Sequence, residues 1–393
     1  MRGFLPYLLL LFLIAAVLRV DFFFSVVYLL LSVYVLSRLW TQRAAADLQA
    51  ERTYTNRAFP GDQATLRLAV RNLSWLPIPW VHVHESLPVE LSTRPFIREV
   101  TSLGPYAERT FTAVLDCHRR GYYEVGPLRM QLGDLLGVSR THRVQVESQH
   151  LVVYPRVVPL QELGLPTRSP LVALPARTPL FEDPARITGV RGYQDGDSPR
   201  RIHWTATASS GELLVKRYDA SIARETVIFL DLNQGDYEGR RRYTATELAI
   251  VVAASIAHHI VVSERLPVGF VTEGWDPLAE AKARFVLPPR ADRASLMGLL
   301  EVLARVEVGD VAPFADVLRR ESSSLTWGTT LAVVAGRATE ALFDTLVHLR
   351  HAGFALALIL IQPTGVTEDL RRQADLLGVP VHRVWREPLS FAP

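Results

Sequence analysis

The chain has 393 residues, 49% of them hydrophobic and 21% charged. That excludes intrinsic disorder, since disordered chains are poor in apolar residues and rich in charge, and the single cysteine, Cys117, excludes a disulfide-stapled mini-protein. The 43 basic and 40 acidic residues leave a net charge of +3, so no global field draws nucleic acid to the surface. Of the basic residues only Lys216 and Lys282 are lysines. At roughly 100–200 residues per domain, the length predicts two or three domains.

The chain opens on two apolar runs, Phe4 to Leu18 and Phe22 to Leu36, separated by Arg19, Val20 and Asp21. A spanning helix needs about 20 apolar residues. Gly3 and Trp40 extend the runs, and Arg19 can snorkel to the interface. The pattern predicts a transmembrane helical hairpin over residues 1–43, with Trp40 as an interfacial anchor followed by Arg43. Arg2, Arg38 and Arg43 flank it, so the positive-inside rule puts both ends on the cytoplasmic side of a cell inner membrane. A cleaved signal peptide and a single long span are the alternatives. The first lacks a small-residue cleavage site after Leu18, and the second sets Arg19 and Asp21 near mid-bilayer.

Residues 44–156 read as a β-sandwich domain. Gln63–Asn72 alternates with Ala64, Leu66, Leu68 and Val70 on one face. Trp80–Glu85, Arg109–Leu115, Tyr122–Val125, Leu128–Leu132 and Arg143–Glu147 follow at similar spacing. Period-two alternation with regular turn signals predicts an all-β, immunoglobulin-like sandwich. Residues 157–190 carry six prolines and no sustained period, which predicts a proline-rich linker or extended strap.

From residue 224 to 393 the pattern changes to α/β. Thr226–Leu230 is a continuous apolar run, as expected of a strand buried on both faces. Strands at Val268–Val271, Thr330–Ala335, Phe354–Ile361 and Val381–Val384 alternate with helices at Tyr243–Ser263, Ala291–Val306, Thr339–His351 and Thr367–Leu377. This predicts a mostly parallel sheet covered on both sides, with ligands meeting the carboxyl ends of its strands, where Asp231 stands.

Between the linker and this sheet, residues 191–223 hold the densest signal. Ser198 and Pro199 suit the N-cap and first position of a helix over Arg200–Ser209, closed near Gly211, and a strand is predicted over Glu212–Tyr218. Arg191, Arg200, Arg201, Lys216 and Arg217 surround Asp195 and Asp197, which predicts local ion pairs.

Tyr193, Gly196, Asp197, Arg200, Ile202 and Trp204 fall in a Tyr-x-x-Gly-Asp-x-x-Arg-x-Ile-x-Trp pattern. By it the chain resembles the domain of unknown function 58 family of bacterial membrane-associated proteins. Arg120-Gly121-Tyr122, Gly126-Pro127 and Gly133-Asp134 look like that family's sandwich pattern, although Leu135-Leu136-Gly137 replaces its usual Pro-Phe-Gly. The resemblance implies a C-terminal domain similar to von Willebrand factor A. It also implies, by genomic association, a partner among MoxR-type AAA ATPases.

A von Willebrand A domain can hold Mg²⁺ through an Asp-x-Ser-x-Ser loop and a later Asp. Here the loop is Asp231-Leu232-Asn233-Gln234-Gly235, and Gly336-Arg337 stands where the later Asp belongs. Too few oxygen ligands remain for magnesium, so no metal is expected. His82 and His84 share a strand face without a third zinc ligand, and Cys117-His118 and His258-His259 lack catalytic spacing. No GxSxG, P-loop or GxGxxG motif occurs in the right context. No catalytic residue and no cofactor are therefore expected.

The expected function is a membrane-tethered cytoplasmic scaffold or adaptor for partner proteins. The alternatives are a Mg-dependent adhesion-type binder, or a hydrolase at the Asp231 end of the sheet. Arg191, Tyr193, Gly196, Asp197, Arg200, Ile202 and Trp204 are expected either to lock the domains together or to dock a partner, since Arg, Tyr and Trp are hot-spot types.

Overall fold

The structure is a computed structural model that describes residues 4–18, 21–134, 142–167, 182–194, 197–199, 202–220, 225–362 and 379–385. It divides into two compact units, Met1–Pro155 and Arg156–Pro393.

The first unit begins with two helices, α1 (Phe4–Leu18) and α2 (Asp21–Ala46). They pack on each other, with the rings of Phe12 and Phe24 edge to face at 6.1 Å. Their outward apolar side chains are exposed, for example Tyr7, Val17, Leu29 and Leu36. α2 is long and apolar enough to cross a membrane. α1, at 15 residues, is about 22 Å long and shorter than a typical span. Residues 242–263 are equally long and apolar, but they are mostly buried in the core of the second unit.

Ten strands follow: β1 (Leu48–Thr53), β2 (Arg57–Ala58), β3 (Asp62–Asn72), β4 (Ile78–Ser86), β5 (Phe96–Leu103), β6 (Glu108–Cys117), β7 (Gly121–Val125), β8 (Leu128–Gly133), β9 (His142–Val146) and β10 (Gln149–Val153). They form three sheets, ordered β1-β3-β6, β2-β10-β7 and β5-β4-β8-β9. Alternate residues point inward, so β3 buries Leu66, Leu68 and Val70, and β4 buries Val81 and Val83. One core joins β1 and β3 to β4 and β8 through Leu68, Val70, Val81, Val83 and Met130.

The expected end of the hairpin at residue 43 needs correcting. α2 continues to Ala46, and Thr41 and Ala44 on its last turns are buried against that core. Trp40, expected as a free interfacial anchor, packs on the same core and donates from Nε1 to the Pro77 carbonyl at 3.0 Å. Apolar surface on the sandwich captures the tryptophan.

The inward alternation is broken by one ion pair. Arg52 on β1 and Glu85 on β4 both point into the interior, with side chains 2% and 0% exposed. Arg52 Nε lies 2.8 Å from Glu85 Oε1, and its Nη2 donates to Oε2 at 3.1 Å. Nη1 also donates to the Glu147 carbonyl. Burial pushes the Glu85 carboxyl above its usual range, and the guanidinium only partly offsets that.

The second unit starts with a strap. Residues 156–167 lie along the α/β core, with Val158, Leu160, Leu163 and Leu165 buried and the Val158 amide donating to Ser255 Oγ at 2.9 Å. Residues 182–190, expected in the linker, are instead part of β11 (Glu182–Gly192), which pairs antiparallel with β12 (Leu214–Ala220). The partner strand supplies the regularity that the local proline-rich sequence lacks. The rest of the expected linker, 168–181, lies outside the described residues.

The main sheet has six strands in the order β15-β14-β13-β16-β17-β18: β13 (Thr226–Leu230), β14 (Val268–Asp276), β15 (Ala281–Arg290), β16 (Thr330–Ala335), β17 (Ala355–Ile361) and β18 (Val381–Val384). β15 alone runs antiparallel, at one edge. The central strands are buried along their whole length, which is why they read as unbroken apolar runs. Helices α4 (Arg242–His258), α5 (Arg293–Arg305), α6 (Phe314–Ser322) and α7 (Glu340–His351) pack on the sheet. Asp292 and Thr339 cap α5 and α7 through their side-chain oxygens. The helix expected over Thr367–Leu377 lies outside the described residues.

Replacing Arg52 by Ala strands the Glu85 carboxylate and is expected to cost roughly 3–5 kcal/mol of stability. Denaturant unfolding of the full chain measures it. A paired Arg52→Met, Glu85→Leu change is expected to recover most of the loss.

Candidate functional site

The 191–223 segment is organised by the β11–β12 ribbon. Arg191 stands opposite Val215, Gly192 opposite Leu214, and the Tyr193 amide donates to the Leu213 carbonyl at 2.9 Å. The chain then turns. Asp197 accepts from the Gln194 amide at 2.9 Å and takes the Arg191 guanidinium as a fork, at 2.7 and 2.6 Å. Such a bidentate pair fixes orientation as well as distance. Ile202 bridges to Val215, and these two side chains form the buried centre of the segment.

The expected helix over Arg200–Ser209 is shorter and later. α3 (Trp204–Ser210) is capped by His203, whose Nδ1 accepts from the Ala206 amide, rather than by Ser198. Ile202 is drawn into the bridge with Val215, and the helix cannot start before it. Gly211 closes α3 at φ 76°, a conformation that favours glycine. The Thr207 hydroxyl, back-to-back with β12, accepts from the Leu214 amide.

Of the seven expected residues, Arg191, Tyr193, Asp197, Ile202 and Trp204 lie in this one small structure. Gly196 and Arg200 lie outside the described residues. Trp204 is 65% exposed, and Tyr193, Val190 and Leu213 are exposed as well. A large aromatic held on a short capped helix beside the ribbon is a residue type suited to contact.

A second candidate lies at the carboxyl ends of β13, β16 and β17. A cavity of about 270 Å³ is lined there by Asp236, Glu238, Arg241, Arg337 and Gln362, with Tyr237, Gly336 and Ile361. Asp231 lies beside it, 1% exposed. Its Oδ1 accepts from the Asn233 amide, its carbonyl accepts from the Tyr237 hydroxyl at 2.7 Å, and its buried Oδ2 has no hydrogen-bond partner. Burial first, and the neighbouring Asp236 charge second, push the Asp231 carboxyl well above its usual range. Gly336 is required at this point, because a Cβ would lie 2.5 Å from the Tyr237 ring and 2.6 Å from the Asp236 carbonyl.

Asn233 is committed elsewhere. Its Oδ1 accepts from the Gly235 amide, and its Nδ2 donates to the carbonyls of Val311 and Ala312, stapling the 307–312 loop to the strand end. Among the described residues no group of three or more His, Cys, Asp or Glu comes together to hold a metal ion. Magnesium does not fit this donor set: one amide is spent, Gly235 offers no side-chain oxygen, and Arg337 sets a positive charge opposite Asp236.

The other sequence candidates are dispersed. His82 accepts from Arg98 Nε at 3.3 Å, and Cys117 is buried, with its thiol pushed up by burial. His259 contacts the Thr167 carbonyl on the strap.

Comparison with known proteins bears on the first candidate. The family described as "Protein of unknown function DUF58" matches residues 189–324, which include the Tyr193–Trp204 pattern. Residues 189–324 are a DUF58 region. No curated protein matches the chain. Solved structures give only distant likenesses. The CARDB domain of a Pyrococcus furiosus protein, solved with two metal ions, is 18% identical with a TM-score of 0.20, over 27% of this chain and 87% of that one. A Listeria innocua beta-glucosidase is 11% identical with a TM-score of 0.17, over 27% of this chain and 16% of that one. The Pseudomonas fluorescens alkylpurine DNA glycosylase AlkC is 11% identical with a TM-score of 0.19, over 32% and 38%.

The Asp231 carboxyl carries a stability prediction. Its folded pKa lies above the unfolded value, so its contribution is full below the ordinary carboxylate range and is lost as pH rises toward the raised value. Asp231→Asn keeps the bond from Asn233 and removes the buried charge. Thermal melts are expected to show a rise of a few degrees at neutral pH and a flatter pH dependence.

Proposed function

We propose that the protein is a membrane-tethered scaffold or adaptor that docks a partner protein on its DUF58 region. The carrying observation is the exposed cluster of Trp204, Tyr193 and Leu213, built on the ribbon that the Arg191–Asp197 fork holds in place. Large aromatics beside an arginine are the residue types that dominate binding energy. The partner expected from the family resemblance is a MoxR-type AAA ATPase in an assembly or chaperone-like system. In this reading α1 and α2 form a hairpin in the bacterial inner membrane, the three sheets of the first unit are an immunoglobulin-like sandwich, and the six-stranded unit is a von Willebrand A-like domain. The sandwich and the α/β unit are cytoplasmic.

Trp204 is exposed and its removal leaves no cavity, so Trp204→Ala is expected to leave the melting temperature unchanged. It is expected to lower partner recovery at least tenfold when the tagged chain is isolated from native membranes by crosslinking, an effect of about 1.4 kcal/mol or more. Recovery of the ATPase at equal yield with Trp204→Ala and Tyr193→Ala sinks the proposal.

The Mg-dependent and hydrolytic readings both use the Asp231 end of the sheet. The polar cavity beside Asp236 and Arg337 favours them, but the oxygen donors that magnesium needs do not. Titration with Mg²⁺ or Mn²⁺ in a calorimeter is expected to give no heat of binding.

A further inference from the structure

The outer face of the β5-β4-β8-β9 sheet is basic. Strand register places its outward residues in rows. One row runs Val100, His82, Gln131, Arg143, and the next runs Arg98, His84, Arg129, Gln145. All three arginines are exposed, and none forms an ion pair among the described residues. Neither row contains a carboxylate. Glu147, at the matching parity, follows β9 at the end farther from α2. The field is felt within the face: burial first, then His82, Arg98 and Arg129, hold the His84 imidazole below its usual pKa. Phe96, stacked on His84 at 5.5 Å, and Val100 add exposed apolar surface.

The position of this face relative to α2 decides what it meets. The uncharged run of α2 ends at Leu36. The next residue, Ser37, donates to Asp134 Oδ2 at 2.7 Å, and Asp134 directly follows β8. The Asp134 carbonyl in turn accepts from Trp80 Nε1, and the Trp80 ring lies over Gly133 at the same end of the sheet. Trp40 fixes that end again through Pro77, just before β4. The two basic rows therefore begin two and four residues along the strands from the point where the apolar helix ends, or about 7 and 14 Å. The nearer row, with Arg143, falls within a headgroup layer roughly 5–8 Å thick and a Debye length of about 8–10 Å; the farther row lies beyond both along the strand, and its long arginine side chains reach back toward them.

We infer that this sheet face binds the anionic headgroups of the bilayer that α2 enters, with Arg143, Arg129 and Arg98 as the phosphate contacts and Trp80 at the interface. The inference rests on the reading of α2 as a membrane span. The face adds electrostatic attachment to the apolar anchor, and so sets the tilt of the sandwich above the bilayer. An arginine held near an anionic surface is worth roughly fivefold in occupancy, and the effect decays within a Debye length, so Arg143 contributes most and Arg129 and Arg98 less.

The test uses the full chain carrying Gln145→Cys. Cys117 is buried, so a fluorophore goes to position 145. The protein is reconstituted into phosphatidylcholine vesicles with or without phosphatidylglycerol, and quenching by a headgroup-nitroxide lipid is read. Quenching is expected to be several-fold stronger with phosphatidylglycerol, and to fall to the phosphatidylcholine level in high salt or with Arg98→Gln, Arg129→Gln and Arg143→Gln combined. These exposed changes are checked by an unchanged melting temperature. Equal quenching in both vesicle types, with the chain resistant to alkaline carbonate, overturns the inference and leaves the membrane anchor standing. Extraction of the chain by carbonate overturns both. Salt-sensitive retention of a DNA duplex through the same arginines, with no response to phosphatidylglycerol, assigns the face to nucleic acid and overturns the inference.

Discussion

Thr41 and Ala44 are buried in the sandwich core, while Tyr28, Leu29 and Leu36 on the same helix are exposed apolar side chains. One helix therefore serves two environments along a single axis. An α-helix of 26 residues is about 39 Å long and does not bend freely, since each turn is hydrogen-bonded to the next. The apolar half of α2 is consequently joined to the β-sheets by continuous helix whose last turns pack on their core, with no loop between. Ser37–Asp134 and Trp40–Pro77 satisfy polar groups at the change of environment, where an unpaired donor would be costly. A surface of the sandwich thus keeps a fixed height and angle relative to whatever surrounds α2.

Glu85 and Asp231, each buried in its own unit, show how differently the units handle charge. Glu85 has a guanidinium at hydrogen-bond distance, and that guanidinium also ties β1 to the end of β9. The pair spans two sheets and one strand end, so it sets register as well as neutralising charge. Asp231 has backbone donors at Asn233 and Gly336 and the Asp236 carboxyl as its neighbour, with no ion pair to a cation among the described residues. The Arg337 charge acts on Asp236 instead. Burial disfavours the charged form of such a carboxyl, the form that would hold a cation or act as a base. The loop after β13 is closed by Asn233 onto Val311 and Ala312.

The parts of the fold legible in the sequence are those whose burial is uniform or strictly alternating. Thr226–Leu230 and Thr330–Ala335 are buried on both faces and could be read to the residue. β3 and β4 alternate cleanly and were off by only a residue or two. β15 was not legible because it is an edge strand with mixed exposure and two prolines, and its partner β14 is what holds it extended. α6 is short, follows Pro313, and ends in Arg319-Arg320-Glu321, which locally resembles a loop. Arg52 and Glu85 each break their own strand's pattern and make sense only together, across 33 residues that no local period spans. At the signature, the Asp197 ion pair followed from composition alone, whereas the start of α3 depended on Ile202 finding Val215 across the ribbon.

That last dependence explains why the segment can present aromatics to solvent at all. A seven-residue helix is unstable alone, and a two-stranded ribbon is marginal. Here each lends the other what it lacks. The ribbon gives the helix a register through His203 N–H to the Leu214 carbonyl, and Ile202, just before the helix, pairs with Val215, so the segment gains a buried centre. The fork from Arg191 to Asp197 then ties Asp197 to the ribbon. With the backbone fixed on three sides, Trp204 loses little conformational entropy on contact. Ordering a flexible loop would oppose binding by more than one indole gains, so preorganisation is the condition under which so small a surface can hold a partner.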